Sequence, residues 1–194
     1  MNHDAYDNAY IGGILNSVKT IAMVGASPND VRPSYFVLKY LLAKGFSVFP
    51  INPGHAGKEI LGRTVYARLA DLPQPVDMVD IFRASSAVPG IVDEVLKLDP
   101  LPKVLWMQLG VRDDQAAALA EAAGIKVVMN RCPKIEYGRL SSEISWMGVN
   151  SRTLSSKRAP IPTQGMRLSL NRMSVGGGET AASDRAAKNK SELP

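Results

Sequence analysis

The sequence predicts an α/β fold with a doubly wound, mostly parallel five-stranded sheet and helices on both faces. Short apolar runs, which are typical of strands covered on both faces, recur between about residues 20 and 130. Segments with helical periodicity lie between these runs, and such alternation is typical of parallel strands joined by right-handed crossovers. For five such strands we expect the spatial order 3-2-1-4-5.

Five apolar runs supply the strands, and helical patterns fill the connections between most of them. The predicted strands are Thr20–Val24, Ser47–Ile51, Met78–Phe82, Lys103–Met107 and Lys126–Met129. The predicted helices are an N-terminal one on the sheet edge at about Asp7–Val18, a short one near Tyr66–Ala70, and three longer ones at Ser34–Lys44, about Ala87–Leu98 and Asp113–Ala123.

Residues that start and stop helices support these bounds. Ser34 follows Pro33 as an N-terminal cap, and Gly45 ends the same helix where a left-handed residue is favoured. Pro89 falls in the first turn of its helix, where its missing N–H leaves no hydrogen bond unmade. Asp113 lies in the first turn of the next helix, where its carboxylate interacts favourably with the helix dipole.

The formal net charge of +5 belongs to the C-terminal end of the chain. Residues 150–194 contain eight Lys and Arg residues and three acidic residues, which accounts for the whole excess, so residues 1–149 are neutral. The same segment is rich in Ser, Pro, Gly and Ala and has no apolar periodicity, which predicts a basic, disordered tail behind one folded domain. Its charges have no aromatic residues between them, so we favour a solvated end over a nucleic-acid-binding arm.

Composition also predicts the cellular compartment. Cys132 is the one cysteine, so no internal disulfide can form, as is usual in a reducing compartment. The N-terminus lacks the layout of a signal peptide, and no run of about 18 apolar residues suggests a membrane span. We therefore expect a cytoplasmic protein without a membrane partner.

The first candidate binding residues follow the first strand. Ligands of such sheets bind beyond the carboxyl ends of the strands, where the strand order reverses. Gly25, Ala26 and Ser27 form a small-residue turn before a helix, whose N–H groups would suit an anion. Ser34 adds a hydroxyl and Arg32 a planar guanidinium suited to phosphate. The alternative is an ordinary turn with an exposed arginine.

The loop after the second strand distinguishes between nucleotide types. A nicotinamide dinucleotide site usually has an acidic side chain here for the ribose 2′-hydroxyl. This chain has Asn52, Pro53, His55 and Lys58 instead, which better suits a phosphorylated ribose. The alternative is a glycine-rich connector without a binding role.

Three more residues come at the ends of later strands. Arg83 follows the third strand, where it could bind a phosphate or form a surface ion pair. Gln108 follows the fourth strand, where it could hydrogen-bond a base or an amide of the ligand or have no binding role. Cys132 has cationic neighbours that would lower its pKa. No histidine lies near it in the sequence, so we favour a structural cysteine and assign no catalytic residue. Metal-ligand spacing is absent too, and no metal site is predicted.

Taken in order, these segments resemble the small bacterial single-domain CoA-binding proteins. The chain is also similar, more distantly, to the CoA-binding domain that opens the succinyl-CoA synthetase alpha subunit. The resemblance covers roughly residues 14–140. The matching stretches are VGASPNDVRPSYFVLKYLLAKGFSVFPINP, GKEILGRTVYARLADLPQPVDMVDIFR, VLWMQLGV and VVMNRCPKIEYGRL.

The resemblance implies a Rossmann-like domain that holds coenzyme A. It places the pyrophosphate at Gly25, Ala26, Ser27, Arg32 and Ser34. It places the adenosine beside Asn52 and Pro53, and it places Arg83 in the crevice. His55 stands where the synthetases usually have lysine.

Two functions follow from the sequence. The first is a binding module for CoA or an acyl-CoA without chemistry of its own. The alternative is an acyl-CoA-handling or NAD(P)-dependent enzyme in the same crevice, using Cys132 or a water positioned by Gln108. The synthetase's second domain, with its phosphorylated histidine, has no counterpart here, so ligase activity is not implied.

Overall fold

The computed structural model describes residues 1–141, which contain a five-stranded, all-parallel sheet. The predicted tail and the end of the predicted domain lie outside these residues. The strands of the large sheet are β1 (Thr20–Val24), β2 (Ser47–Ile51), β5 (Met78–Ile81), β6 (Val104–Met107) and β7 (Lys126–Val128). A small antiparallel hairpin of β3 (Glu59–Ile60) and β4 (Arg63–Thr64) lies in the connection from β2 to β5.

The strand order is β2-β1-β5-β6-β7, so the predicted order 3-2-1-4-5 is wrong. The third long strand, β5, pairs with β1 instead of lying outside β2. The outer side of β2 is occupied by its own outgoing connection. The Tyr66 N–H donates to the Pro50 carbonyl and the Tyr66 carbonyl accepts from the Asn52 N–H, both at 2.9 Å. These bonds occupy the carboxyl end of the outer edge of β2.

Five α-helices cover the sheet. They are α1 (Asn8–Ser17), α2 (Pro33–Ala43), α3 (Val88–Val95), α4 (Asp114–Ala122) and α5 (Pro133–Leu140). Helix α5 was not predicted, and the short helix expected near residue 66 is a 3-10 turn at Leu69–Asp71. Helix α1 packs on α5 and reaches the edge strand β7, where the Tyr10 hydroxyl donates to the Val127 carbonyl.

The start of α2 differs from its prediction in a way that matters for the site. Pro33 is the first helical residue and Arg32 is the N-cap, so the predicted capping by Ser34 is wrong. The fixed φ of proline suits the first helical position, so the helix begins one residue earlier than predicted. Ser34 therefore lies inside the first turn. Asp113, predicted in the first turn of the later helix, is instead the N-cap of α4, where its carboxylate accepts from the Ala116 N–H at 2.9 Å.

The core has one layer on each face of the sheet. Helices α1, α2 and α5 cover one face, where Trp106 and Tyr137 are the largest fully buried side chains. Helices α3 and α4 cover the other face with smaller aliphatic residues. No helix within residues 1–141 has the length and apolar character needed to cross a bilayer.

Asp77 fastens three chain segments together at the amino ends of the strands. Its carboxylate accepts from the N–H groups of Lys19 and Thr20 and pairs with Lys103 at 2.7 Å. Partial burial, the largest influence, would raise the pKa of Asp77. The hydrogen bonds from Lys103, Lys19 and Thr20 together outweigh it and lower the pKa to about 2.

We predict that Asp77→Asn lowers the free energy of unfolding by about 1–3 kcal/mol at pH 7, because hydrogen bonds to a charged group are lost. A depressed pKa stabilises the fold above the unfolded pKa of about 4, and this contribution disappears as the pH falls toward 2. Urea unfolding between pH 7 and pH 3 checks this, with the exposed Asp93→Asn on α3 as control. The lowered pKa of Asp77 would be contradicted if the difference in unfolding free energy between wild type and Asp77→Asn did not decrease at low pH.

Candidate functional site

The site lies at the carboxyl ends of β1 and β5, where the connections diverge to opposite faces of the sheet. Helix α2 follows β1 on one face, and α3 follows β5 on the other. Gly25, the first residue after β1, has φ +89°, and a Cβ there would lie 2.5 Å from the Phe82 carbonyl oxygen. Only glycine permits this close approach of two strand ends.

Two adjoining cavities open at this point. The larger, about 530 Å³, lies toward α2 and α5, and the smaller, about 340 Å³, lies toward α3. Gly25, Asn52 and Arg83 line both, so the two cavities meet at the carboxyl end of β1. Cavities of about 300–1,000 Å³ are typical of small-molecule sites, and doubly wound sheets bind ligands at this reversal of strand order.

Most of the site residues predicted from the sequence come together here. The larger cavity is lined by Gly25, Ala26, Ser27, Arg32, Ser34, Asn52, Arg83 and Gln108. Pro53 lines the smaller cavity. His55 lines neither, and its Nδ1 atom is buried without a hydrogen-bond partner.

The donors in the first loop are not those suggested by a glycine-rich turn. The N–H groups of Gly25 and Ala26 both donate to the Ile51 carbonyl, at 2.9 and 3.2 Å. Within the described residues, no acceptor engages the N–H groups of Ser27 and Ser34, which both line the larger cavity. Ser34 is 5% exposed and its hydroxyl has no partner in the same part of the chain. The open N–H donors therefore come from Ser27 in the loop and from Ser34 in the first turn of α2.

Two arginines leave positive charge unpaired around the larger cavity. Within residues 1–141, Arg32 and Arg83 have no acidic partner, whereas Arg112 is held by Asp4 and Asp114. Because unpaired guanidinium groups next to open N–H donors attract anions, this side of the crevice suits a phosphate group.

Asn52 connects the first two loops. Its Nδ2 donates to the Ala26 carbonyl at 2.7 Å, and its Oδ1 accepts from the Gly54 N–H at 3.0 Å. Both ends of the side-chain amide are thus used to hold backbone. Its role in this geometry is to shape the junction of the cavities.

Asp80 is a buried carboxyl group that the sequence analysis missed. It lies in β5, has no exposed surface, and receives both of its hydrogen bonds from Gln108 Nε2, at 2.9 and 3.1 Å. Burial raises the pKa of Asp80 to about 8, and the Gln108 hydrogen bond offsets only part of this effect. One signal was available, since an acidic residue inside an apolar strand is rare without a partner.

Cys132 lines the larger cavity, but its surroundings do not lower its pKa as predicted. Burial is the largest influence and raises the pKa of the thiol, and nearby Asp80 raises it further. The N–H groups of Ile135 and Lys134 and the charge of Lys134 oppose this only in part. The prediction of a lowered pKa is wrong because neighbouring residues in the sequence indicate the charge near the thiol but not how deeply the thiol is buried.

The smaller cavity also contains residues that the sequence did not suggest. Arg68 and Glu94 lie on its wall with the apolar side chains of Leu69 and Ile91. Arg68 is paired with Asp71 at 2.9 Å. Spacing carried no signal for these residues, because they come from a 3-10 turn and from the middle of α3.

Comparisons with known proteins identify the family of the chain. The profile of a family described as CoA binding domain matches residues 19–138. An uncharacterized protein of Bacillus subtilis, YneT, is 33% identical over 129 residues, which cover 66% of this chain and 93% of that protein. A solved hypothetical protein from Pyrococcus horikoshii OT3 is 36% identical with a TM-score of 0.67, covering 72% of this chain and 96% of that one.

A larger relative has a named activity. The ADP-forming acetate–CoA ligase I of Archaeoglobus fulgidus is 26% identical over 147 residues, which cover 72% of this chain and only 21% of the ligase. This chain therefore corresponds to one part of that enzyme.

We predict that Gly25→Ala lowers the free energy of unfolding by about 1–3 kcal/mol from backbone strain, and by more if Phe82 cannot move away. In the matched control, Gly13→Ala in α1, a Cβ meets nothing within 4 Å, and we expect a gain of about 0.5–1 kcal/mol. Urea denaturation measures both. Equal stability of Gly25→Ala and wild type would contradict the close approach at β1.

We also predict that Asp80→Asn becomes more stable relative to wild type as the pH rises. Asp80 keeps its proton in the fold up to pH about 8 but loses it near pH 4 when unfolded, so wild type loses about 1.4 kcal/mol per pH unit between these values. Between pH 5 and pH 7 the difference should grow by roughly 2–3 kcal/mol. Urea unfolding of both proteins checks this, and a difference independent of pH would contradict the burial of an ionisable Asp80.

Proposed function

Because the chain belongs to the family of CoA binding domains, as the resemblance predicted, we propose that it binds coenzyme A or an acyl-CoA across the two adjoining cavities. We propose further that it performs no chemistry of its own. The observation that carries the proposal is the set of unpaired phosphate donors at the junction of the cavities.

The pyrophosphate is assigned to Ser27 and to the first turn of α2. The open N–H groups of Ser27 and Ser34, the Ser34 hydroxyl and the unpaired Arg32 supply donors of the kind that bind phosphate. Arg83 lies between the two cavities and is placed to contact a charged group that passes from one to the other.

The two ends of CoA are assigned to different cavities. The adenosine is placed in the smaller cavity, where Asn52 and Pro53 stand beside the apolar walls formed by Leu69 and Ile91. The pantetheine arm then extends through the rest of the larger cavity. That part is lined by Phe82, Leu109, Val111, Gln108 and Cys132, a mostly apolar surface suited to a flexible arm.

The absence of chemistry is proposed from the state of the candidate nucleophile. The pKa of Cys132 is raised, so its thiol is protonated at neutral pH and is a poor nucleophile. His3 is hydrogen-bonded to Tyr6, and His55 lines neither cavity, so neither histidine is placed as a base for Cys132.

We retain the cytoplasm as the predicted compartment.

The test is calorimetric titration with CoA, acetyl-CoA, NAD+ and NADP+. We expect micromolar binding of the two CoA compounds and weaker binding of both nicotinamide cofactors. Arg32→Ala should weaken CoA binding about 10- to 100-fold, since a charge-assisted hydrogen bond contributes about 1.5–3 kcal/mol. Arg63→Ala, which removes an exposed arginine of β4 outside both cavities, should bind as wild type does.

Three outcomes would overturn parts of the proposal. Unchanged CoA affinity in Arg32→Ala would reject the phosphate site. Preference for a nicotinamide cofactor would reject CoA as the ligand. Turnover of an acyl-CoA that disappears in Cys132→Ser would reject the non-catalytic role in favour of the enzyme alternative.

A further inference from the structure

We propose that Asp80 is a positioning residue of the ligand site. It holds the Gln108 carboxamide with Nε2 turned toward the sheet, so that the Oε1 acceptor is presented to the larger cavity. The ligand group that fits this acceptor is a secondary amide N–H, and the arm of CoA contains two such amides. The inference rests on the proposed function, because it concerns the arm of the same ligand.

The geometry leaves Gln108 one open atom. The side chain is only 6% exposed and lines the larger cavity. Its Nε2 donates to both carboxylate oxygens of Asp80. No donor within residues 1–141 reaches its Oε1, and this oxygen is not among the buried atoms that lack a partner. The open acceptor therefore borders the cavity, where a ligand N–H can complete its hydrogen bonding.

The protonation state of Asp80 selects between two arrangements of this pair. An ionised carboxylate only accepts hydrogen bonds, so it keeps Nε2 facing the sheet and leaves Oε1 for the ligand. A protonated carboxyl has an O–H that needs an acceptor, and rotation of the Gln108 amide supplies Oε1 for it. The protein with an ionised Asp80 is thus the form that can accept an N–H from the ligand.

Asp80 has uncharged neighbours on both adjacent strands. Its partners in register are Met23 on β1 and Trp106 on β6, which are uncharged. Cys132, the residue that precedes α5, is a titratable group that interacts electrostatically with Asp80. The charge of Lys134 lowers the pKa of the same thiol. The helices on the opposite face of the sheet do not face this side chain, because Asp80 points to the face that carries Trp106.

Ligand binding should therefore release a proton. The pKa of free Asp80 is raised to about 8, so roughly nine-tenths of the protein carries this proton at pH 7. If the bound form is ionised, close to one proton leaves per ligand at pH 7 and almost none at pH 9.5. By the same linkage, affinity should rise about tenfold between pH 7 and pH 9.

The experiment uses the methyl thioether of CoA, because its sulfur cannot titrate. Calorimetric titration in two buffers of different ionisation enthalpy gives the number of protons released. We expect close to one proton for wild type at pH 7 and for the control Asp93→Asn. Asp80→Asn should release none, its affinity should not change between pH 7 and pH 9, and at pH 9 it should bind more than tenfold more weakly than wild type.

Two further variants separate the causes. Cys132→Ser should keep the proton release, since the proton belongs to Asp80. Gln108→Met should lose both the release and the pH dependence while leaving the Asp80 carboxyl in place. If Asp80→Asn fails to fold, Gln108→Met decides the question alone.

The outcomes distinguish this inference from the proposed function. Binding of the thioether without proton release by wild type would overturn the positioning role and leave CoA binding intact. Proton release that persists in Asp80→Asn or disappears in Cys132→Ser would overturn it as well. Failure of wild type to bind any CoA compound would reject the proposed function and this inference together.

Discussion

The site depends on how tightly the chain is held at the carboxyl end of β1. The N–H groups of Gly25 and Ala26 share the Ile51 carbonyl, and Asn52 returns a hydrogen bond to the Ala26 carbonyl. On the other side, Gly25 leaves no room for a side chain next to Phe82. Three strand ends are thereby fixed relative to one another. Because the N–H groups of Gly25 and Ala26 are already used, an anion must be held by side chains and by the N–H groups of Ser27 and Ser34.

Charge in this molecule is divided between paired and unpaired arginines. Arg112 and Arg139 are held by carboxylates away from the cavities, while Arg32 and Arg83 on the cavity wall are not paired within the described residues. A surface ion pair contributes little to stability, so leaving two arginines unpaired costs the fold little. The same two side chains give an otherwise neutral domain a local positive field at the crevice.

Asp80 places a carboxyl group inside the apolar sheet, where burial of an ionisable group is energetically unfavourable. A carboxyl group with no exposed surface is stable only if it stays neutral or is well hydrogen-bonded, and its single partner is a residue of the cavity wall. Local rules of burial are usually broken where a protein binds or reacts. The Asp80–Gln108 pair therefore connects the interior of the sheet to the ligand site, although Asp80 itself does not line the cavity.

Local patterns in the sequence determined the positions of the strands. The bounds predicted for β1 and β2 are those of the structure, because short apolar runs bounded by turn residues are typical of buried parallel strands. Most of the predicted site residues also line the two cavities, since the carboxyl ends of parallel strands meet at one edge of the sheet. The unpredicted α5 has a glycine and charged residues, and it is recognisable only through its packing on α1 and α2.

Tertiary structure alone decided the strand order and the chemistry of the buried groups. The pairing of β5 with β1, with Tyr66 at the outer edge of β2, joins distant segments in a way that no local pattern encodes. The raised pKa values of Asp80 and Cys132 depend on burial in the packed domain, and the Asp80–Gln108 pair joins residues that are 28 positions apart. Sequence records which groups are present, whereas their solvation and partners exist only once the chain is packed.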